Sequence, residues 1–341
     1  MSRAQMLAFA PFAFFAATTM RDTGLLSSLE NAGAEGLTRA ELARDTGLSE
    51  YAVAVLVDFG QDLEILSEQE EACTLAPLGH ILLHDPMTRV NMDFTRDFAS
   101  HGLPALETAI REGRPAGLTA LGDWSTLYEG LHELEEPAAG SWFRFDHYYS
   151  EHAFRDLVER LARDAPRHVM DVGANTGRLA LRYLDRDPEA CMTLLDLPGP
   201  LQMAREALEA AGQADRAHLH PTDLRDNSRE LPGGADAIVM SQLLACFPPE
   251  EIVALLRRTA RAMDPETRLY IVELCPDRQI HEAARFSLNA VSLYFTCMVN
   301  GTSRFYPRDT LGRLIDEAGL MIDHEEEPIG VGHTLLRCRR R

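Results

Sequence analysis

Two patterns of apolar residues divide this chain. Up to about residue 166, apolar positions recur at helical spacing, with no convincing strand-helix-strand alternation in the first hundred residues. From His168 the pattern changes, and short apolar runs of strand length alternate with amphipathic segments. Val169 to Val172, Thr193 to Leu197, His218 to Leu224, Ala237 to Leu244 and Leu269 to Cys275 read as strands. Helices are expected from Gly177, Pro200, Pro248, His281 and Pro307. Met321 to Glu327 and His333 to Arg339 read as two closing strands around a Gly-rich turn. Strand alternating with helix predicts an α/β, Rossmann-like fold, with a parallel sheet covered on both faces; consecutive closing strands allow an antiparallel edge. These runs predict seven strands.

The first half divides in turn. Thr38 and Glu41 stand at capping-box spacing before a short helix, Thr46 to Ser49 form a turn, and a second helix runs through Val53, Val55, Leu56 and Phe59. Ile65 to Leu75 with Gly79 read as the strands of a small wing. The expected domains are a winged-helix-like dimerisation domain at 1–100, a helical linker contributing to a pocket at 101–166, and a cofactor domain at 167–341. The linker carries an aromatic cluster including Trp124, Tyr128, Trp142, Tyr148 and Tyr149, which suits a pocket wall that is apolar with a few polar handles.

Charge narrows the partners. The net charge of -20 opposes phosphate backbones, and Glu50 to Asp62, the would-be recognition helix, holds no Lys or Arg, so no nucleic-acid partner is expected. Six scattered cysteines without a CxxC pair suggest neither a zinc site nor a disulfide framework and point to the reducing cytoplasm; no metal is expected. The apolar run Leu7 to Thr18 resembles a signal-peptide core, but it continues through Arg21 and Asp22 to Gly24 like a packed helix. No run reaches the ~20 apolar residues of a membrane span.

The strongest chemical signal is Asp171-Val172-Gly173-Ala174-Asn175-Thr176-Gly177, placed where a buried strand turns into a helix. Little side-chain bulk lets the backbone approach a nucleotide-type ligand, and Asn175 tolerates the left-handed angles of an inner loop position. Asp196, 19 residues after Gly177 at the end of the next strand, has the spacing of a ribose-binding carboxylate. The loop is G-x-x-x-G, not the G-x-G-x-x-G of dinucleotide folds.

These motifs, with Leu194 to Pro198, Thr222-Asp223-Leu224, and Ser241 to Leu244 followed by Phe247 to Glu250, resemble the ordered motifs of class I S-adenosylmethionine (SAM) dependent methyltransferases. The branch they are most similar to is that of plant caffeate and bacterial polyketide O-methyltransferases, and the similarity covers nearly the whole chain. It implies a homodimer through the N-terminal winged-helix region, SAM held by Asp171, Gly173, Asn175 and Gly177, and S-adenosylhomocysteine (SAH) as product. It further implies Asp196 and Leu197 on the ribose, Asp223 and Leu224 around adenine, and Ser241 and Gln242 near the methionine moiety. The expected partner is a small aromatic or polyketide-like acceptor, methylated on oxygen or carbon.

One departure bears on mechanism. Where the family carries a general-base histidine, this chain has Ala245, followed by Cys246; Glu273 matches the acidic residue that accompanies that base. Three outcomes follow from the residues: a base from elsewhere, with His147 the candidate by its chemistry; an electron-rich carbon acceptor that needs no strong base; or loss of methyl transfer, as in non-methylating hydroxylase, decarboxylase or pericyclase relatives. A SAM-binding regulatory protein is a further alternative. Trp124, Tyr148, Tyr149, Phe295 and Asn300 are the candidate acceptor-lining residues.

Overall fold

The computed structural model describes residues 3–341, which form two compact units that meet in sequence between Phe98 and Ala99. In the first, the apolar run after Arg3 folds into helices Arg3–Ala8 and Ala10–Asp22, and Gly24 at φ +80° turns the chain into Leu25–Ala32. Thr38 caps Arg39–Thr46 reciprocally: its N–H donates to Glu41 Oε2 at 2.8 Å, and the Glu41 N–H donates to Thr38 Oγ1 at 3.3 Å. Such a cap contributes about 1 kcal/mol. Glu50–Asp62 follows, then an antiparallel pair, β1 (Leu66–Gln69) and β2 (Ala72–Leu75), which is the expected wing. Met20, Leu25, Leu26, Leu29, Leu42, Val53 and Val57 form its core, whereas Leu7, Phe9, Phe12 and Phe15 stay 78, 53, 66 and 47% exposed.

The second unit begins with short helical turns and the 27-residue helix Ala138–Asp164. The seven-stranded sheet comprises β3 (His168–Val172), β4 (Cys191–Asp196), β5 (Ala217–Pro221), β6 (Ala237–Ser241), β7 (Arg268–Glu273), β8 (Leu320–Ile329) and β9 (His333–Arg340). Its order is β5-β4-β3-β6-β7-β9-β8, with β3 to β7 parallel and the last two strands antiparallel. Side chains alternate between two cores as the pleat requires. Ile238, Met240, Leu269, Ile271 and Leu336 join one face; Ala237, Val239, Tyr270, Val272 and Leu335 join the other.

Two strands are shorter than their apolar runs. β5 stops at Pro221, which has no N–H to give, and the Thr222 N–H makes the last bond to β4, at Asp196 O, 2.8 Å away. β6 stops at Ser241 because Gln242 adopts φ +53°, and Leu244–Cys246 close into a 3₁₀ turn.

Candidate active site

The carboxyl ends of β3, β4, β5 and β6 converge, which is where open parallel sheets bind ligands. At the end of β3 the chain turns through Gly173 (φ +81°), Asn175 (φ +47°) and Gly177 (φ +73°) into the helix Arg178–Arg186. A Cβ on Gly177 would lie 3.0 Å from that of Ala204, so the loop also depends on close helix packing. Asp196 anchors it: Oδ2 accepts the Asn175 N–H at 2.8 Å, and Oδ1 accepts the Leu197 N–H at 2.7 Å. Helix Ala138–Asp164 adds two ties, with Asn175 Nδ2 donating to Asp146 Oδ2 at 2.9 Å and His147 Nε2 lying 3.0 Å from Thr176 Oγ1.

Three carboxylates therefore gather around one loop. Burial and the charge of Asp196 push Asp146 and Asp171 each up to about 7; burial alone lifts Asp196 to about 6, against the pull of its two backbone donors. Such a set is costly without positive charge or donors to meet it. Nearby, Asn175 Oδ1, Ser241 Oγ and Gln242 Nε2 are buried without a partner. A ligand with an ammonium or sulfonium charge, ribose hydroxyls and a carboxylate would answer these groups, so the residues present fit SAM. Asp223 sits at the rim, turned toward Arg225, and Leu224 is buried with its carbonyl held by the enclosed Arg258 at 2.7 Å.

The residues expected on the acceptor side lie beyond β6 and β7. Glu273 is 3% exposed and spends its carboxylate on backbone: Oε1 accepts the Leu244 N–H at 2.6 Å, and the N–H groups of Leu243 and Ala245 also point to it. Burial nevertheless raises it to about 8. Ala245 packs in a hydrophobic cluster with Leu274, Leu288 and Phe305, against which Tyr149, Val291 and Phe295 lie. His147 faces the glycine loop, where burial and Arg178 hold its pKa below the ordinary value.

The aromatic candidates separate. Tyr149 and Phe295 join the wall around Ala245, and Tyr148 lies against Tyr149 and His152 with ring centroids 5.4 and 4.5 Å away. Trp124 is clamped over Gly122 and Gly130 and donates Nε1 to Glu133 at 3.0 Å, a folding role for its loop. Asn300 has both ends engaged: Nδ2 donates to Cys246 O at 2.6 Å, and Oδ1 accepts from Ser303 Oγ at 2.7 Å.

Tyr128, Asp146, Cys246 and Tyr294 are not among the candidate site residues that the sequence singles out. The Tyr128 hydroxyl hydrogen-bonds the Cys246 thiol, Trp142 Nε1 donates to Tyr294 Oη at 2.8 Å, and the charge of Asp146 acts on Tyr128, Cys246 and Tyr294. A signal existed: Trp142, Asp146 and Tyr149 fall at i, i+4 and i+7, one helical face with a lone carboxylate in an aromatic stripe. Also passed over were His80 and His84, one turn apart, which meet Glu30 in the first unit.

The O-methyltransferase domain model matches residues 147–320, and a Dimerisation2-like domain model matches 2–73. The chain is 31% identical over 173 residues to the mitomycin biosynthesis 6-O-methyltransferase of Streptomyces lavendulae, covering 50% of this chain and 47% of that protein. It is 26% identical over 306 residues to the 3-amino-4-hydroxybenzoate 4-O-methyltransferase of Streptomyces cremeus, covering 89% and 80%. The apo crystal structure of the SAM-dependent methyltransferase SibL superposes over 99% of both chains with TM-score 0.75 at 22% identity, a likeness of fold. With a glycine loop, strand-end carboxylates and half its length matched to one domain model, the chain belongs to the O-methyltransferase family of SAM-dependent transferases, preceded by a dimerisation domain.

Proposed function

We propose that this protein is a homodimeric methyltransferase that transfers a methyl group from SAM to a small aromatic or polyketide-like acceptor. The observation that carries this is the pair of buried carboxylates Asp171 and Asp196 beside the unpartnered Ser241 Oγ and Gln242 Nε2, all at the carboxyl ends of three parallel strands. SAM supplies an electrophilic methyl on a positively charged sulfur. Asp196 and Leu197 would hold the ribose, Asp223 and Leu224 the adenine, and Ser241, Gln242 and Asp171 the methionine end. The acceptor class is supported by the aromatic wall of Tyr149, Phe295 and Phe305, and by relatives named for oxygen methylation of ring compounds.

His147 and Glu273 are positioning residues in this reading. His147 steadies Thr176 and hence the loop, and Glu273 fixes the turn that carries Ala245. Methyl transfer is an in-line displacement that gains most from close positioning of its partners, so holding the loop and turn is itself a catalytic contribution. Calorimetric titration with SAH tests the reading: a 1:1 complex per chain is expected, and Asp196→Ala should weaken it by about tenfold or more, the loss of a charged hydrogen-bond acceptor worth ~1.5–3 kcal/mol. Binding of NAD with none of SAH would overturn it.

A further inference from the structure

We propose that Asp146 takes the proton from the acceptor's hydroxyl, in a site whose usual base position holds alanine. This rests on the methyltransferase reading above. One direct contact and three longer-range charge interactions mark this carboxylate. Oδ2 accepts from Asn175 Nδ2 at 2.9 Å, on the cofactor loop. Its charge acts on Tyr128, on Cys246 beyond β6, and on Tyr294 of the helix Glu282–Tyr294. Asp146 is thus tied directly to the cofactor loop and near enough for its charge to be felt by two tyrosines and a thiol. Although deep in the fold, Tyr128, Asp146, Asp196 and Cys246 keep partly accessible surfaces, so they line an internal space.

Elimination supports the choice. Ala245 has no acceptor atom, Glu273 is saturated by backbone N–H groups, and His147 is turned to Thr176. Tyr128 and Tyr294 are pushed above the ordinary phenol value by burial, and Cys246 up to about 12, so none of the three is ionised near neutrality. The titratable groups in electrostatic contact with Asp146 are therefore these three and Asp196, whose negative charge disfavours the ionised form of Asp146. Together with burial this brings Asp146 to about 7, matched to proton transfer near neutral pH. In the balanced step the acceptor O–H bond breaks, its proton goes to Asp146, and the oxygen lone pair forms the new bond to the methyl carbon. The carbon–sulfur electron pair leaves with sulfur as SAH, and Asp146 then returns the proton to solvent.

The test uses the full chain with SAM and 4-nitrocatechol as phenolic probe. Wild type should methylate the probe with a rate that falls on the acid side around pH 7. Asp146→Asn keeps an oxygen for Asn175 and should bind SAH within a few-fold of wild type, yet lose 10²- to 10⁴-fold in kcat together with the acid limb, while Asp146→Glu recovers part of both. An unchanged rate and pH profile in Asp146→Asn would overturn the proposal, and so would an SAH-binding wild type that leaves the probe unmethylated. Failure of wild type to bind SAH at all would instead sink the methyltransferase reading.

A different observation carries a second inference. We infer that Glu30, His80 and His84 bind a divalent transition-metal ion such as Zn²⁺. Their ligand atoms all lie within 4.8 Å of one another, with Glu30 Oε1 3.2 Å from His80 Nδ1 and 2.6 Å from His84 Nε2. Metal–ligand bonds of ~2.0–2.2 Å in a tetrahedron place ligand atoms roughly 3.3 Å apart, so a small opening admits the ion. Both supporting helices, Leu25–Ala32 and Pro77–His84, are fixed by buried residues: Leu26 and Leu29 in the first, Gly79 and Leu82 in the second. Titration of the full chain with ZnCl₂ should give one site per chain, and Co²⁺ a tetrahedral visible spectrum. Both signals should fall at least tenfold in the His80→Ala/His84→Ala variant; equal binding by that variant would overturn the assignment.

Discussion

Asn175 is held between two carboxylates, its backbone N–H on Asp196 at 2.8 Å and its side-chain amide on Asp146 at 2.9 Å, while its own φ is +47°. One residue thus sets both the backbone angle of the glycine loop and its attachment to the helix Ala138–Asp164. Asn175→Gly keeps the angle and loses only the amide, whereas Asn175→Ala loses the amide and places a Cβ in the left-handed region at ~1–2 kcal/mol. SAH affinity should therefore fall in the order wild type, Gly, Ala, by about tenfold at the Ala step. Calorimetry on the three proteins checks this, and equal affinities would mean that the loop is held elsewhere.

Cofactor affinity should depend on pH. Asp171 and Asp196 rest at about 7 and 6, above the ordinary carboxylate range, so part of this pair is protonated at neutrality. A ligand bringing positive charge and hydroxyl donors favours the ionised forms, so binding should release protons. The SAH dissociation constant should then drop as pH rises from 5.5 to 7.5. Titrations in buffers of different ionisation enthalpy would reveal the released protons; a heat independent of buffer would contradict the cluster.

Glu273 and Ala245 make a paired prediction. If Glu273 acts only by accepting backbone N–H groups, Glu273→Gln, which keeps an oxygen there, should retain activity within a few-fold. Glu273→Ala strands the Leu244 donor and should cost ~1–3 kcal/mol of stability. Ala245→His pushes an imidazole among Leu274, Leu288 and Phe305 and should not raise turnover. Thermal melts and initial rates decide; a faster Ala245→His enzyme would point to a decayed histidine site.

His333 should make stability fall in mild acid. It is fully buried, and burial lowers its pKa to about 4. The unfolded chain protonates it near 6.5 and the folded chain only near 4. Its contribution is therefore whole above 6.5 and is lost as pH falls from 6.5 to 4, about 3 kcal/mol over the window. The buried carboxylates act in the opposite sense there, so the comparison must be internal: the stability gap between wild type and His333→Gln should shrink by roughly that amount between pH 7 and pH 4.5 in denaturant melts.

The exposed aromatic face of the first unit predicts a dimer. Phe9, Phe12 and Phe15 present more apolar surface than a small domain leaves in water, and they lie within the part matched to a dimerisation domain. Light scattering should give twice the 37.9 kDa chain mass, and Phe9→Glu/Phe12→Glu should shift the particle toward monomer.

The sheet was readable because its strands are short apolar runs closed by glycine, proline and strand-end aspartate, and the cofactor loop because Asn175 and its flanking glycines declare its backbone angles. The acceptor side was less legible. Whether His147 or Asp146 faces the cavity depends on the rotation of the helix Ala138–Asp164 by a single residue, and aromatic density alone does not fix it. Trp124 and Asn300 invite a ligand-binding reading by residue type, yet their polar atoms are consumed by Glu133, Cys246 and Ser303. His80 and His84 have the spacing of a metal pair, but Glu30 is fifty residues away in sequence from the first of them and joins only through the packing of two helices.

The placement of β9 has a consequence for the order of assembly. This strand, nearest the carboxyl end in sequence, is laid between β7 and β8, with Leu335 completing one core and Leu336 the other. During synthesis β3 to β7 emerge in turn and can pair as they leave the ribosome, but neither face of the sheet is sealed until residues 333–340 are inserted from the far end. A nascent chain stalled before His333 would hold an open edge at β7 and two unfinished cores, a state that should depend on chaperones and be open to proteolysis, whereas a cut between the helices of the first unit would leave the sheet whole.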